Sequence, residues 1–189
     1  WAAAYVYADI RVECHVQYIP ADTPSIRVVG NRVGELGFLA RQRPGEDVVD
    51  VFEVSPYDVG RAVCGWAGLS KPGSSSAIVI PEYAAHPQNA DVVEDFTVLT
   101  SADTSTATEV RRTDVTAFGT VQSHWLPSRR WGFDRGKNAV VWMRVKDDGD
   151  YIRTDDLGQA QPLTNLRLAE RIDQLIAEDV KAIQKFRND

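Results

Sequence analysis

The chain has 189 residues, 43% hydrophobic and 25% charged, with a formal net charge of −6, the profile of one ordinary globular domain with a real core, or of such a domain with extensions. That charge argues against bulk attraction to nucleic acid or acidic membranes, and no apolar stretch approaches the roughly 18 residues of a membrane span. The chain opens on Trp1 rather than Met, so it is expected to be a processed or truncated product, with an organelle (plastid or mitochondrion) among its destinations.

The opening residues alternate. Ala4, Val6, Ala8, Ile10, Val12, Cys14, Val16 and Tyr18 fall on one side, and Tyr5, Tyr7, Asp9, Arg11, Glu13, His15 and Gln17 on the other. This predicts one long strand with a buried face and a wet face. Residues 19–24 stop it. Ile26, Val28 and Val29 begin a second strand, and Gly30-Asn31 is expected to turn, the glycine supplying a positive φ. A polar turn over 41–47 centres on Pro44-Gly45. Val48, Val49, Val51, Phe52 and Val54 then form a third β run, whose imperfect alternation predicts burial on both sides. Ser55 as N-cap and Pro56 at the first helical position would start a short helix over 57–69, weakened by Gly60, Gly65 and Gly68.

Residues 70–76 form a loop by composition, and 77–80 a short apolar strand. Val92, Val93, Phe96, Val98 and Leu99 suggest another extended run, residues 101–108 a surface loop, and 109–121 a further strand. The segment 123–138 is aromatic, basic and broken by Pro127 and Gly132, and reads as a loop. Residues 139–145 make a strand, Asp147-Asp148-Gly149-Asp150 a hairpin turn, and 154–161 a polar linker. After Pro162 comes the strongest helical pattern. Thr164 or Asn165 can cap it, and Leu168, Ile172, Leu175, Ile176, Val180, Ile183 and Phe186 recur at three- and four-residue intervals.

Charge is unevenly placed. From Pro72 to Val110 there is no Lys or Arg, while Glu82, Asp91, Glu94, Asp95, Asp103 and Glu109 are acidic. His124 to Lys137 instead carries Arg129, Arg130, Arg135 and Lys137 against Asp134. In a loop of basic residues interleaved with Trp125, Trp131 and Phe133, the tryptophans can fold back on the core while the arginines stay solvated. The same residues can dock an acidic partner, with Arg and Trp as hot-spot residues, or grip a nucleic-acid strand. The overall acidity disfavours the second use.

The run Ile26-Arg27-Val28-Val29-Gly30-Asn31 followed by Glu35-Leu36-Gly37, with Ile10–Val16 before it, resembles the starch-binding domains, the family-20 carbohydrate-binding modules. Trp131-Gly132-Phe133-Asp134-Arg135-Gly136-Lys137-Asn138, leading into the strand at 139–145, resembles a stretched form of that family's later Trp-turn-Asn signature. The similarity spans about residues 8–54 and 115–146, around an insertion at about 55–108. It implies a mainly β fold, an antiparallel immunoglobulin-like sandwich over 1–150, with residues 151–189 as linker and C-terminal amphipathic helix. It also implies α-glucan binding without catalysis, sugar rings stacking on Trp131 beside Asn138. Leu39 stands where the family carries its other tryptophan, and Ala40 replaces the following aspartate. Phe38 or Trp125 would then have to serve as the replacement platform.

Catalytic and metal motifs are weak. His15, His86 and His124 are far apart and lack zinc-site spacing. Asp147 to Asp150 lacks the twelve-residue calcium loop with its closing glutamate. No Gly-x-Ser-x-Gly elbow or Walker loop occurs. Cys14 and Cys64 read as buried reduced thiols, although a disulfide is not ruled out by sequence. The expected protein is therefore not an enzyme and takes no cofactor. It is expected to be a structural or linker subunit that docks onto other proteins through Arg129, Arg130, Trp131 and Arg135. The alternative is a glucan binder using Trp131, Asn138, Phe38 and Trp125, and an enzyme of unknown class comes third.

Overall fold

The computed structural model describes residues 2–20, 22–80, 107–125, 133–154 and 159–188. In chain order its elements are α1 (Ala2–Val6), β1 (Ile10–Tyr18), β2 (Ile26–Val33), β3 (Leu36–Gln42), β4 (Val49–Val54), α2 (Val59–Trp66), β5 (Ile78–Val79), β6 (Thr108–Glu109), β7 (Val115–Trp125), β8 (Val140–Val145), β9 (Gly149–Arg153), β10 (Ala160–Pro162) and α3 (Asn165–Asn188). The chain is mainly β, with antiparallel ladders, one parallel pair among the described strands and a long C-terminal helix. It divides into two compact units, Trp1–Leu69 with Gly119–Val140 and Asn165–Asp189, and Ser70–Phe118 with Val141–Thr164. Residues 70–118 join with 141–164, and the expected linker contributes β10.

In the first unit β4, β3, β2 and β1 run in that order, with β7 next to β1. Ile10, Val12, Cys14 and Val16 are all buried, as the alternation predicts, but the strand starts later than expected. The alanine-rich start favours helix, and the Tyr7 N–H donates to the Ala3 carbonyl at 2.9 Å to close α1. The registers Val12↔Gly30, Gly30↔Leu39 and Leu39↔Phe52 carry the apolar face across the sheet. Helices cover that face, where a sandwich would place a second sheet: α2 lies on β1, β2 and β3, and α3 on α2 and β1. Leu168, Ile172, Leu175 and Ile183 supply the buried stripe of α3.

Gly30 does not turn; it sits inside β2. A Cβ there would lie 2.5 Å from Val59 Cγ1 and 2.9 Å from Val63 Cγ2, so the missing side chain is what lets α2 approach the sheet. The turn falls instead at Gly34, with φ +54°, whose N–H donates to Asp9 Oδ2 at 2.8 Å. The helix start is also shifted: Ser55 Oγ accepts the Tyr57 N–H at 3.3 Å in a turn, and α2 begins at Val59.

The second unit runs from the start of β7 through β8, β9, β10, β5 and β6. Ile78, Ile80, Val115, Met143, Val145, Tyr151 and Ala160 form its core. The hairpin at 147–150 is as expected, with Asp147 taking the left-handed conformation at φ 59°. Asp150 is fully buried. It takes two hydrogen bonds from Arg144, Nε at 2.7 Å and Nη2 at 3.1 Å, and a third from the Ser70 N–H. Its backbone bonds Lys71, Gly73 and Leu163. The expected strand over 92–99 and most of the loop over 101–108 lie outside the described residues.

Candidate functional site

Two surfaces of the first unit concentrate chemistry. On the sheet face opposite α2 and α3, the pairs Glu13↔Val29, Val29↔Ala40 and Ala40↔Val51 make a row across four strands. Beside it lies a groove of about 330 Å³ lined by Glu13, His15, Arg27, Val29, Gln122 and Phe133, among others. Gln122 Nε2 donates to the Asp134 and Lys137 carbonyls at 2.8 and 3.3 Å, and its Oε1 accepts the Asp134 N–H at 2.7 Å. These bonds pin the turn that carries Phe133. Arg11, expected to be wet, is 5% exposed. Its guanidinium sits 4.4 Å from the Tyr5 ring centroid, with Nη2 donating to the Tyr5 carbonyl at 2.6 Å and Nε to Asn31 Oδ1 at 3.3 Å.

Burial lowers the His15 pKa, reinforced by Arg27, and lowers that of His124, where Lys137 and Arg11 act in the same direction against Asp179 and Asp134. Both imidazoles are therefore harder to protonate folded than unfolded. Below the unfolded value of about 6.5 the unfolded chain gains the protons first, so these groups contribute a loss of stability as pH falls toward about 5, above the carboxylate range. Urea midpoints measured across that window should fall with pH, and the slope should flatten in His15→Gln/His124→Gln.

The second surface lies where β4 meets α2. The third β run is not buried on both sides: Val49, Val51 and Phe52 are 51%, 40% and 40% exposed. Phe52 stacks on Trp66 with centroids 5.9 Å apart and planes 15° apart, and the Arg41 guanidinium lies 3.9 Å from the Trp66 ring centroid. Arg43 and Arg41 both donate to Asp50, at 2.8 and 3.4 Å for their Nη2 atoms. The Arg43 bond, followed by its charge and then Arg41, holds the Asp50 carboxyl below its ordinary pKa despite desolvation. Tyr57 projects nearby, its hydroxyl donating to Glu35 Oε2 at 3.1 Å.

The residues singled out from sequence scatter. Arg129, Arg130 and Trp131 lie outside the described residues, and Arg135 is exposed in the turn after Phe133. Asn138 Nδ2 donates to Glu178 Oε2 at 3.0 Å. Trp125 packs on Phe186 of α3, centroids 5.7 Å apart. Phe38 is half-buried opposite Glu53, in the face away from α3. Phe38 and Trp125 thus occupy opposite faces; either was expected to serve beside Trp131, which lies outside the described residues. Phe52, Trp66 and Arg41 went unrecognised; their signal was the broken alternation of 48–54 itself, which marks a strand with an apolar side left uncovered. Cys14 and Cys64 are free and buried, as expected, and burial pushes the Cys14 thiol up to about 12.

No protein-family model matches the chain, and no curated protein does. Among solved structures it is similar to the Mycobacterium tuberculosis type VII secretion system chaperone EspG5, solved in complex with a PE25-PPE41 dimer. The TM-score is 0.53 at 13% identity, covering 93% of this chain and 76% of the neighbour. At that identity the likeness is one of fold. No described helix is long and apolar enough to cross a membrane.

Proposed function

We propose that the chain is a non-catalytic protein-binding module, a chaperone-type subunit that holds a partner protein in a larger assembly. The exposed Phe52–Trp66 stack under Arg41 carries this reading. Aromatics and arginine, part-exposed and ringed by polar groups, are the composition of an interface hot spot. The fold likeness to EspG5, whose structure holds a protein dimer, supports the same class of partner. The α-glucan reading, with its immunoglobulin-like sandwich, is the second. It would need a second sheet where α2 and α3 cover the apolar face, and Trp131 beside Phe38 or Trp125 as its aromatic platform.

The test is isolation of the tagged chain from its own host, followed by size-exclusion with light scattering and native mass spectrometry. A stoichiometric complex with another polypeptide is expected, and Trp66→Ala should release the partner while leaving the circular dichroism unchanged. A monodisperse free chain would overturn the proposal. Retardation in amylopectin gels that Trp131→Ala abolishes would transfer it to the second reading.

A further inference from the structure

β4 ends the strand order of the first unit: β3 pairs with one side of it, and no described strand pairs with the other. Such an edge is a template for another strand, and proteins ordinarily blunt it with charged side chains (lysine above all), proline, a bulge or a cover. β4 has no lysine, proline or bulge, and its charges are the acids Asp50 and Glu53. Its sequence VDVFEV is in unbroken six-residue register with β3 and stays exposed along most of its length. Side chains on both sides of the edge are ready for a partner. Phe52 stacks on Trp66 in the α2 face, while Val49 and Val51 stand on the opposite face, all of them 38–51% exposed.

The charge around this edge selects its occupant. Residues 35–58 carry Glu35, Glu46, Asp47, Asp50, Glu53 and Asp58 against Arg41 and Arg43. Both arginines are engaged by Asp50, so the field presented along the edge is acidic. A second copy of β4 would bring two more acids, Asp50 and Glu53, and no base. We propose that β4 is a β-augmentation site for an extended basic segment of a partner protein. The segment alternates apolar residues with Lys or Arg and pairs its backbone with Val49–Val54. Main-chain bonds then provide affinity, and the alternate side chains provide specificity. This rests on the protein-binding reading above and names its partner chemistry.

The probe is a capped synthetic peptide of alternating valine and lysine, titrated by calorimetry into the full chain. Binding is expected, weakened by salt, and weakened about tenfold or more by Phe52→Ala. N-methylation of alternate peptide nitrogens, on the side that would face β4, should abolish it, because a methylated amide cannot join the ladder. Glu53→Lys, at an exposed position, should shift preference to a valine–glutamate peptide. Equal binding of the N-methylated peptide, preference for a helix-forming isomer of the same composition, or β4-mediated self-association in sedimentation would each overturn the proposal. The two readings separate by hydrogen exchange on the native complex. A complex that leaves the Val49–Val54 amides unprotected sinks the edge proposal and leaves the binding function standing. Peptide binding with no native complex sinks the function.

Discussion

Asp150→Ala is expected to cost the second unit about 3–5 kcal/mol, the range for removing one partner of a buried ion pair. The carboxylate is fully buried and receives both Arg144 bonds as well as the Ser70 N–H. Truncation leaves a cation whose side chain is 22% exposed without this counter-charge, and a backbone donor without its acceptor. The loss should appear as a lowered urea midpoint and as faster hydrogen exchange at Ile78, Met143 and Tyr151. Asp150→Asn keeps an oxygen for Ser70 and should cost less. Arg144→Met/Asp150→Asn should cost less again than Asp150→Ala, because the cation that loses Asp150 is gone with it. If instead the double variant were the worst of the three, the penalty would lie in lost packing around Arg144 rather than in the loss of its bond to Asp150.

Asp150 also shows why only part of this protein was legible from its sequence. The turn at 147–150 could be read from Asp147-Asp148-Gly149-Asp150, because turn chemistry is local. Nothing local distinguishes Asp150 from its two acidic neighbours: its burial depends on Ser70, 80 residues away, and on Arg144 across the hairpin. The apolar face of β1 and the stripe of α3 were legible for the opposite reason. Both are periodic, and periodicity reports which face is buried even when it does not report against what. What it met was the misleading part. Ile10, Val12 and Cys14 would look the same beneath a second sheet as beneath α2 and α3, so the pattern suited a sandwich as well as a helix-covered sheet. Asp179 lies buried within the apolar face of α3, where Lys137 Nζ reaches its Oδ1 at 2.8 Å. Nothing near Asp179 in the sequence announces that pairing, because it spans 42 residues.

The candidate site was less legible than the fold. Arg129, Arg130 and Trp131 stand out because basic and aromatic residues adjoin there in sequence, and they lie outside the described residues. The cluster on the described surface draws Arg41, Phe52 and Trp66 from three elements. Each looked ordinary alone: an arginine in a turn, a phenylalanine in an apolar run, a tryptophan at the end of a glycine-broken helix. Only the register Leu39↔Phe52 and the close seating of α2 on Gly30 bring them together.

That seating yields the second large effect. Gly30→Ala is expected to destabilise the first unit by about 1–3 kcal/mol, the usual cost of overpacking a filled core. The new methyl would arrive 2.5 Å from Val59 Cγ1 and 2.9 Å from Val63 Cγ2, and β-branched side chains in a helix have one strongly preferred rotamer with which to retreat. Either the valines leave it or α2 lifts from β2. Lifting would also separate Trp66 from Phe52, so the variant should weaken partner binding together with stability. Val59→Ala removes the nearest clashing methyl and should restore part of the loss, making the double variant more stable than the sum of the two single changes. That coupling is the signature of a steric role. A glycine needed for a positive φ would be damaged by alanine just as surely, but its strain would be in its own backbone, and no change at Val59 could relieve it. Additive losses in the Gly30→Ala/Val59→Ala cycle, measured by urea denaturation, would therefore overturn the helix-seating role.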